Sequence, residues 1–250
     1  MRKLRERLGP LDADDYLRLA LGSPSPAAAA VFAEKGLQGS GPAVDPEVTV
    51  LLLREVFRAH LQARRVRSAH AVARKMVALG ALPEIAYADL GRACSALGWW
   101  PQAAQAYRMA ARHAPARRRA MHWEAVGTAL HHARRPEDAL AALERAGRWA
   151  LTTRPLHRAH AALVRLDGGA TEVSLQGVLE DLETAPCGEG YGRYIAGLLR
   201  EALGDSPRAQ QHLRAFVRRN RHDATRAVTL ATELRRARRT LRRLRHAAAE

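Results

Sequence analysis

An all-α fold, arranged as a solenoid of antiparallel helix pairs, is what this sequence predicts. Three observations predict it. The first is a period. Residues 90–115 (LGRACSALGWWPQAAQAYRMAARHAP) align with residues 126–146 (VGTALHHARRPEDALAALERA), so that Gly91 matches Gly127, Ala103 matches Ala139, Tyr107 matches Leu143 and Ala110 matches Ala146, each pair 36 residues apart. Such a period marks stacked supersecondary units rather than a single closed core. The second is punctuation. The segments LGWWPQA (97–103), ARRPEDA (133–139) and LGDSPRA (203–209) each run from a turn former through Pro and a polar residue to Ala. Pro is tolerated in a first helical turn, where its missing N–H is not needed. Each segment therefore reads as one helix ending and a second starting, with the small residue where the two approach. The third is composition, rich in Ala, Leu and Arg with few β-branched residues, which favours helix nearly throughout.

The elements follow in order. Residues 12–37 read as a degenerate first helix pair. Asp14 or Asp15 caps a helix carrying Tyr16, Leu17, Leu19 and Leu21, and a second helix with Val31 and Phe32 ends at Gly36. A Gly/Pro loop, QGSGPAVDP (38–46), is the candidate joint. Helices near 47–63 and 67–79 come next, ending at Gly80, and the two clear repeats follow. Leu156, Leu163 and Leu166 then mark one helix over 155–166. Leu175, Val178, Leu179 and Leu182 mark another over 171–184, with Gly168-Gly169 as the turn and APCGEG (185–190) as a loop. From Asp223, a candidate N-cap, one helix is expected to run to about His246. The chain thus divides into 1–46, a repeat array over 47–221 and an Arg-rich amphipathic helix over 222–250.

These residues resemble the tetratricopeptide repeat family, whose repeat of about 34 residues sets an aromatic, Leu-Gly, Ala, an aromatic, Ala and Pro at fixed places. Trp123 takes the first aromatic place before Gly127. Leu90-Gly91, Ala103, Tyr107, Ala110 and Pro115 supply most of another copy. Residues 84–119 and 120–153 match well, residues 50–83 and 190–221 loosely, and residues 154–189 keep the length without the signature. Phe57 and Ala73 replace the usual Gly and aromatic in the first copy. The resemblance implies a superhelix whose first helices line a groove for peptides or helices. It places Arg54, Arg58, Arg92, Glu124, Thr128, His131, Tyr194 and Leu198 on that side. The clamp that some members use for chaperone C-termini is not expected, because Arg58 stands where Asn is needed and Met121 and Ala125 where Lys and Arg are needed.

Charge is the second informative feature. The net formal charge is +16, distributed as −1 over residues 1–49, +10 over 50–119, −3 over 120–189 and +10 over 190–250. All basic residues but Lys3, Lys35 and Lys75 are Arg. Codon composition explains Arg over Lys but not the shortage of acid. The densest run, LRRARRTLRRLRH (234–246), sets Arg235, Arg236, Arg238, Arg239, Arg242, Arg243 and Arg245 around a stripe of Leu234, Ala237, Leu241 and Leu244. Such a helix can dock one side and expose a basic wall on the other. It reads as a terminal cap of the solenoid, as a contact for an acidic protein, RNA or an anionic membrane surface, or as a short coiled coil between chains.

Function is therefore expected from surfaces rather than chemistry. The groove arginines suit an acidic or amphipathic segment of a partner protein, since Arg grips carboxylates with two hydrogen bonds. RNA or ribosome binding is the alternative, and a structural subunit of a larger assembly the third. Trp99 falls where a polar turn residue normally sits and is a candidate exposed hot spot. Trp100, Trp123 and Trp149 are expected between helices. Cys94 and Cys187 are isolated, and Cys94 falls on an apolar helix face. His131-His132 and His157-x-x-His160 lack a metal-ligand pattern, and no nucleophile elbow or phosphate loop is present. No catalytic residue, metal or cofactor is expected. No run of 18 apolar residues suggests a span, the start MRKLRERLGPLDADD has no apolar core of a signal peptide, and a cytoplasmic location is expected.

Overall fold

The computed structural model describes residues 11–39, 44–170 and 174–246. Among them the secondary structure is entirely helical. Helices α1 (Ala13–Leu21) and α2 (Pro26–Gln38) form the first pair, followed by α3 (Pro46–Gln62) with α4 (Val66–Ala78). Then come α5 (Pro83–Leu97) with α6 (Trp100–His113), α7 (Ala116–His132) with α8 (Pro136–Trp149), and α9 (Arg154–Asp167) with α10 (Gln176–Thr184). A 3-10 turn (Pro186–Gly188) leads to α11 (Tyr191–Ala202) and α12 (Ser206–Asn220). The chain closes with α13 (Ala224–Thr229) and α14 (Ala231–His246). Each helix from α1 to α12 packs on its neighbours in sequence, which is the contact pattern of a solenoid.

Small residues sit where the pairs cross. Ala69, Ala103, Ala139 and Ala209 are all fully buried. Gly91, Gly127 and Gly197 face the partner helix so closely that a Cβ would lie 2.7 Å from Tyr107, Leu143 and Leu213 respectively. One left-handed residue closes the turn within each of five pairs: Arg64, Gly98, Arg134, Gly169 and Gly204. Two of these carry the side chain that this backbone disfavours.

Several boundaries differ from expectation. Asp12, not Asp14 or Asp15, caps α1: its side chain accepts from the Asp15 N–H at 2.8 Å, while Asp15 reaches back to the Asp12 N–H at 3.4 Å, a reciprocal capping box. Gly36 does not end α2. It lies inside the helix, where a Cβ would meet Tyr16 at 2.9 Å and Leu52 at 3.0 Å, so its smallness serves a crossing. Helix α10 starts at Gln176, and residues 171–173 of the expected helix lie outside the described residues, as do 40–43 of the expected joint. Asp223 does cap, accepting from the Arg226 N–H at 2.9 Å, but the chain breaks at Leu230 into two helices.

The apolar core runs the length of the array. Ala13, Leu17 and Ala20 of α1 pack with Ala29 and Ala33 of α2 and with Val48, Leu52 and Val56 of α3, joining the first pair to the repeats. At the other end, Tyr194, Leu198 and Leu199 of α11 join Leu213 and Phe216 of α12. Leu234, Ala237 and Leu241 of α14 complete that cluster. The last two helices do not simply close the end of the stack. A terminal cap would touch only α11 and α12, whereas α13 packs on α3 and α5, and α14 reaches α7, α9 and α11. The segment crosses to the N-terminal repeats and returns along the inner helices.

Candidate partner-binding surface

The first helix of each pair contributes the inner face, and its expected arginines are held by acids. Arg54 Nε donates to Asp89 at 3.1 Å, and Arg92 pairs with the same carboxylate. Asp89 is 1% exposed. Arg58 donates to both oxygens of Glu55, at 3.1 and 3.2 Å. Three guanidinium groups thus face two carboxylates. Glu55, Asp89 and Glu124 recur at nearly the repeat spacing, a periodic signal in the sequence for acids on the same face as these arginines. Further along, Glu84 accepts from Arg118 at 2.5 Å and lies 2.8 Å from His122.

The middle of the face is a network of imidazoles and acids. Glu124 on α7 lies between His157 and His160 of α9, the latter at 2.8 Å. Burial alone would raise the Glu124 pKa, but the hydrogen bonds from these two rings outweigh it and bring the carboxyl down to about 2. His131 contacts His160 at 3.3 Å and Asp167 at 2.9 Å. Burial lowers the His131 pKa below its ordinary value, against the pull of Asp167. Thr128 donates to the Glu124 carbonyl at 3.0 Å. The rings form a continuous run: Trp100 on His132 at 4.5 Å, then His131, His160, Tyr191, Tyr194 and Phe216, with centroids 5.1–6.0 Å apart. Among the described residues no cluster of three or more His, Cys, Asp or Glu is placed to hold a metal ion.

The C-terminal segment lies on this face. Val228 of α13 packs against the cluster of Phe57, Leu61, Ala69, Ala73 and Ala93. Glu233 contacts His132 at 3.0 Å, Arg236 grips Asp167 with two hydrogen bonds, one at 2.7 Å, and Arg243 pairs with Glu201. Tyr194 and Leu198, expected on the open groove, are each 2% exposed. The stripe of α14 covers them, so neither is offered to a partner in this conformation. Arg235, Arg238, Arg239, Arg242 and Arg245 are exposed as expected, while Arg236 is spent on Asp167.

The tryptophans divide. Trp99 is 41% exposed and meets His70 edge-on at 5.0 Å. Trp100 and Trp123 are partly buried. Trp149 is not the core residue expected: it is 40% exposed under the Arg119 guanidinium, 4.5 Å from the ring centroid. Cys94 is buried, and burial pushes its thiol up to about 11, which leaves it unreactive. No helix among the described residues is long and apolar enough to cross a membrane.

No protein-family model matches this sequence. No curated protein matches it at significant similarity. Solved structures do. MamA from Desulfovibrio magneticus RS-1, residues 41 to the end, is 17% identical with a TM-score of 0.55, over 68% of this chain and 91% of that one. The MamA RS-1 ArsTM double mutant is 15% identical with a TM-score of 0.55, over 76% of this chain and 96% of that one. At such identity the likeness speaks for the fold alone, and the fold it supports is a helical solenoid of the tetratricopeptide type.

Proposed function

We propose that this protein is a non-enzymatic interaction scaffold whose inner face holds an acidic or amphipathic segment of a partner protein. The observation that carries the reading is that the inner face already holds a helix. The chain's own residues 224–246 lie across α3, α5, α7, α9 and α11, with an apolar stripe seated in the core and arginines on Asp167 and Glu201. A surface that accepts one amphipathic helix in this way suits another of the same pattern. The pairing of Arg54, Arg58 and Arg92 with Asp89 and Glu55 leaves that cluster with a single excess positive charge, which favours an amphipathic segment over a purely acidic one.

Affinity purification from the native cell with nuclease treatment, followed by crosslinking from residue 58, tests it. A protein partner recovered by the natural chain and lost on reversing Arg54, Arg58 and Arg92 to Glu is expected. Recovery indifferent to that reversal overturns the groove assignment.

A further inference from the structure

Helices α12 and α14 lie side by side, joined through Leu213, Phe216 and Val217 on one and Leu234, Ala237 and Leu241 on the other. That packing turns the polar faces of both toward one cleft of about 1140 Å³. Arg218 and Arg221 line it from the end of α12, and Arg238, Arg239, Arg242 and Arg245 from α14. The carboxylates at its margin, Asp167 and Glu201, are already occupied by Arg236 and Arg243. Arg218, Arg221, Arg238, Arg239, Arg242 and Arg245 make no ion pair with a carboxylate among the described residues, and Arg221 donates instead to His222 at 2.7 Å. Like charges brought together repel, and a concave wall of one sign focuses the field on whatever anion enters. We infer that this cleft binds the phosphodiester backbone of a nucleic acid, without readout of the bases.

The lining selects the class. Guanidinium groups match phosphate oxygens with paired hydrogen bonds. Seating in a membrane interface draws on apolar side chains beside the basic ones, and every exposed position of α14 is Arg except His246. A protein segment needs a desolvated apolar anchor. Here Leu241 is 6% exposed within the core, and Trp100 is committed to His132 at 4.5 Å. With the described rings that line the cleft, Trp100, His131 and His132, packed on one another, contact falls on the backbone, where recognition is electrostatic.

The test uses the full chain and uridine, deoxythymidine and mixed-duplex oligonucleotides of about 20 nucleotides, a length that exceeds the footprint of a small binding fold. Engaging about four to six phosphates of a single strand gives a log–log salt slope of about −3 to −4. The triple variant Arg238→Gln, Arg239→Gln, Arg242→Gln loses at least about tenfold in affinity and makes the slope shallower by about 2. The control Arg67→Gln, Arg112→Gln, Arg117→Gln removes equal charge from exposed positions elsewhere and retains binding. Without nucleic acid, the cleft variant melts no lower than the natural chain, because it relieves repulsion. The three oligonucleotides separate a single-stranded from a duplex source of the same backbone. Equal loss in both variants, or tighter binding of polyglutamate or of phosphatidylserine vesicles at the same salt, overturns the inference.

Discussion

Replacing Gly127 with Ala adds one methyl group at the closest crossing of α7 and α8. The new Cβ would lie 2.7 Å from Cγ and 2.8 Å from Cδ2 of Leu143, a side chain 1% exposed with nowhere to move. Two effects oppose each other. Ala gains up to about 1 kcal/mol over Gly in a helix interior. Overfilling a packed crossing costs about 1–3 kcal/mol. The expected net is a loss of about 1 kcal/mol, which lowers Tm by about 2–4 °C in a chain of this size. A double-mutant cycle isolates the crossing. Leu143→Ala alone leaves a cavity and costs about 2–5 kcal/mol. With Leu143 shortened, the methyl group at residue 127 has room, so Gly127→Ala becomes stabilising there. The coupling is about 1–3 kcal/mol. Urea unfolding and thermal melts of the four proteins, followed by helical circular dichroism, measure it. The reasoning is refuted if Gly127→Ala is more stable than the natural chain by the full propensity gain and the cycle is additive.

Other outcomes follow from the same geometry. Arg64→Gly and Arg134→Gly relieve left-handed side chains in two turns and each raises stability by about 1 kcal/mol; unchanged melts in both would remove strain from the account of those turns. Acidification from pH 7 to 5 lowers Tm, because the unfolded chain takes up a proton that buried His131, with its pKa below the ordinary 6.5, resists in the fold. Glu124 adds a second loss: its folded pKa of about 2 lies below the ordinary 4.5, so its stabilisation is present above pH 4.5 and disappears as pH falls toward 2. A flat Tm profile from pH 7 to 5, or one that His131→Gln leaves equally steep, contradicts the histidine part. Acrylamide quenches Trp99 and Trp149 more than Trp100 and Trp123, read from single Trp→Phe variants; uniform quenching would count against their placement. Arg236→Leu leaves Asp167 with His131 alone, and hydrogen exchange over residues 231–246 quickens by about tenfold, the effect of losing about 1.4 kcal/mol; unchanged protection would mean that the apolar stripe alone holds α14.

Much of the scaffold was legible because repeat packing constrains residue size at fixed intervals. Gly91, Gly127, Ala103 and Ala139 are small because two helix backbones pass there, and only small side chains fit. The period therefore carried real information about distance. The boundaries were less legible. Asp12, Asp14 and Asp15 offer the same cap chemistry three times over, and only the backbone path selects one. The break at Leu230 leaves no Gly or Pro in the sequence; α13 turns there to reach α3 and α5 while α14 returns toward α11.

The arginines separate what sequence and structure each decide. A 36-residue period, Pro-marked turns and an amphipathic stripe at 234–244 are local properties, and they sufficed to determine a solenoid of helix pairs and a C-terminal helix with one docking side. Which arginines remain available is not local. Arg54 and Arg236 are indistinguishable from Arg238 in type, yet Asp89 and Asp167 neutralise the first two from 35 and 69 residues away. Coulomb and hydrogen-bond energies depend on separations that the chain sets only after it folds back on itself. The same return path buried Tyr194 and placed the basic face of α14 against that of α12, turning a run of charge into a cleft.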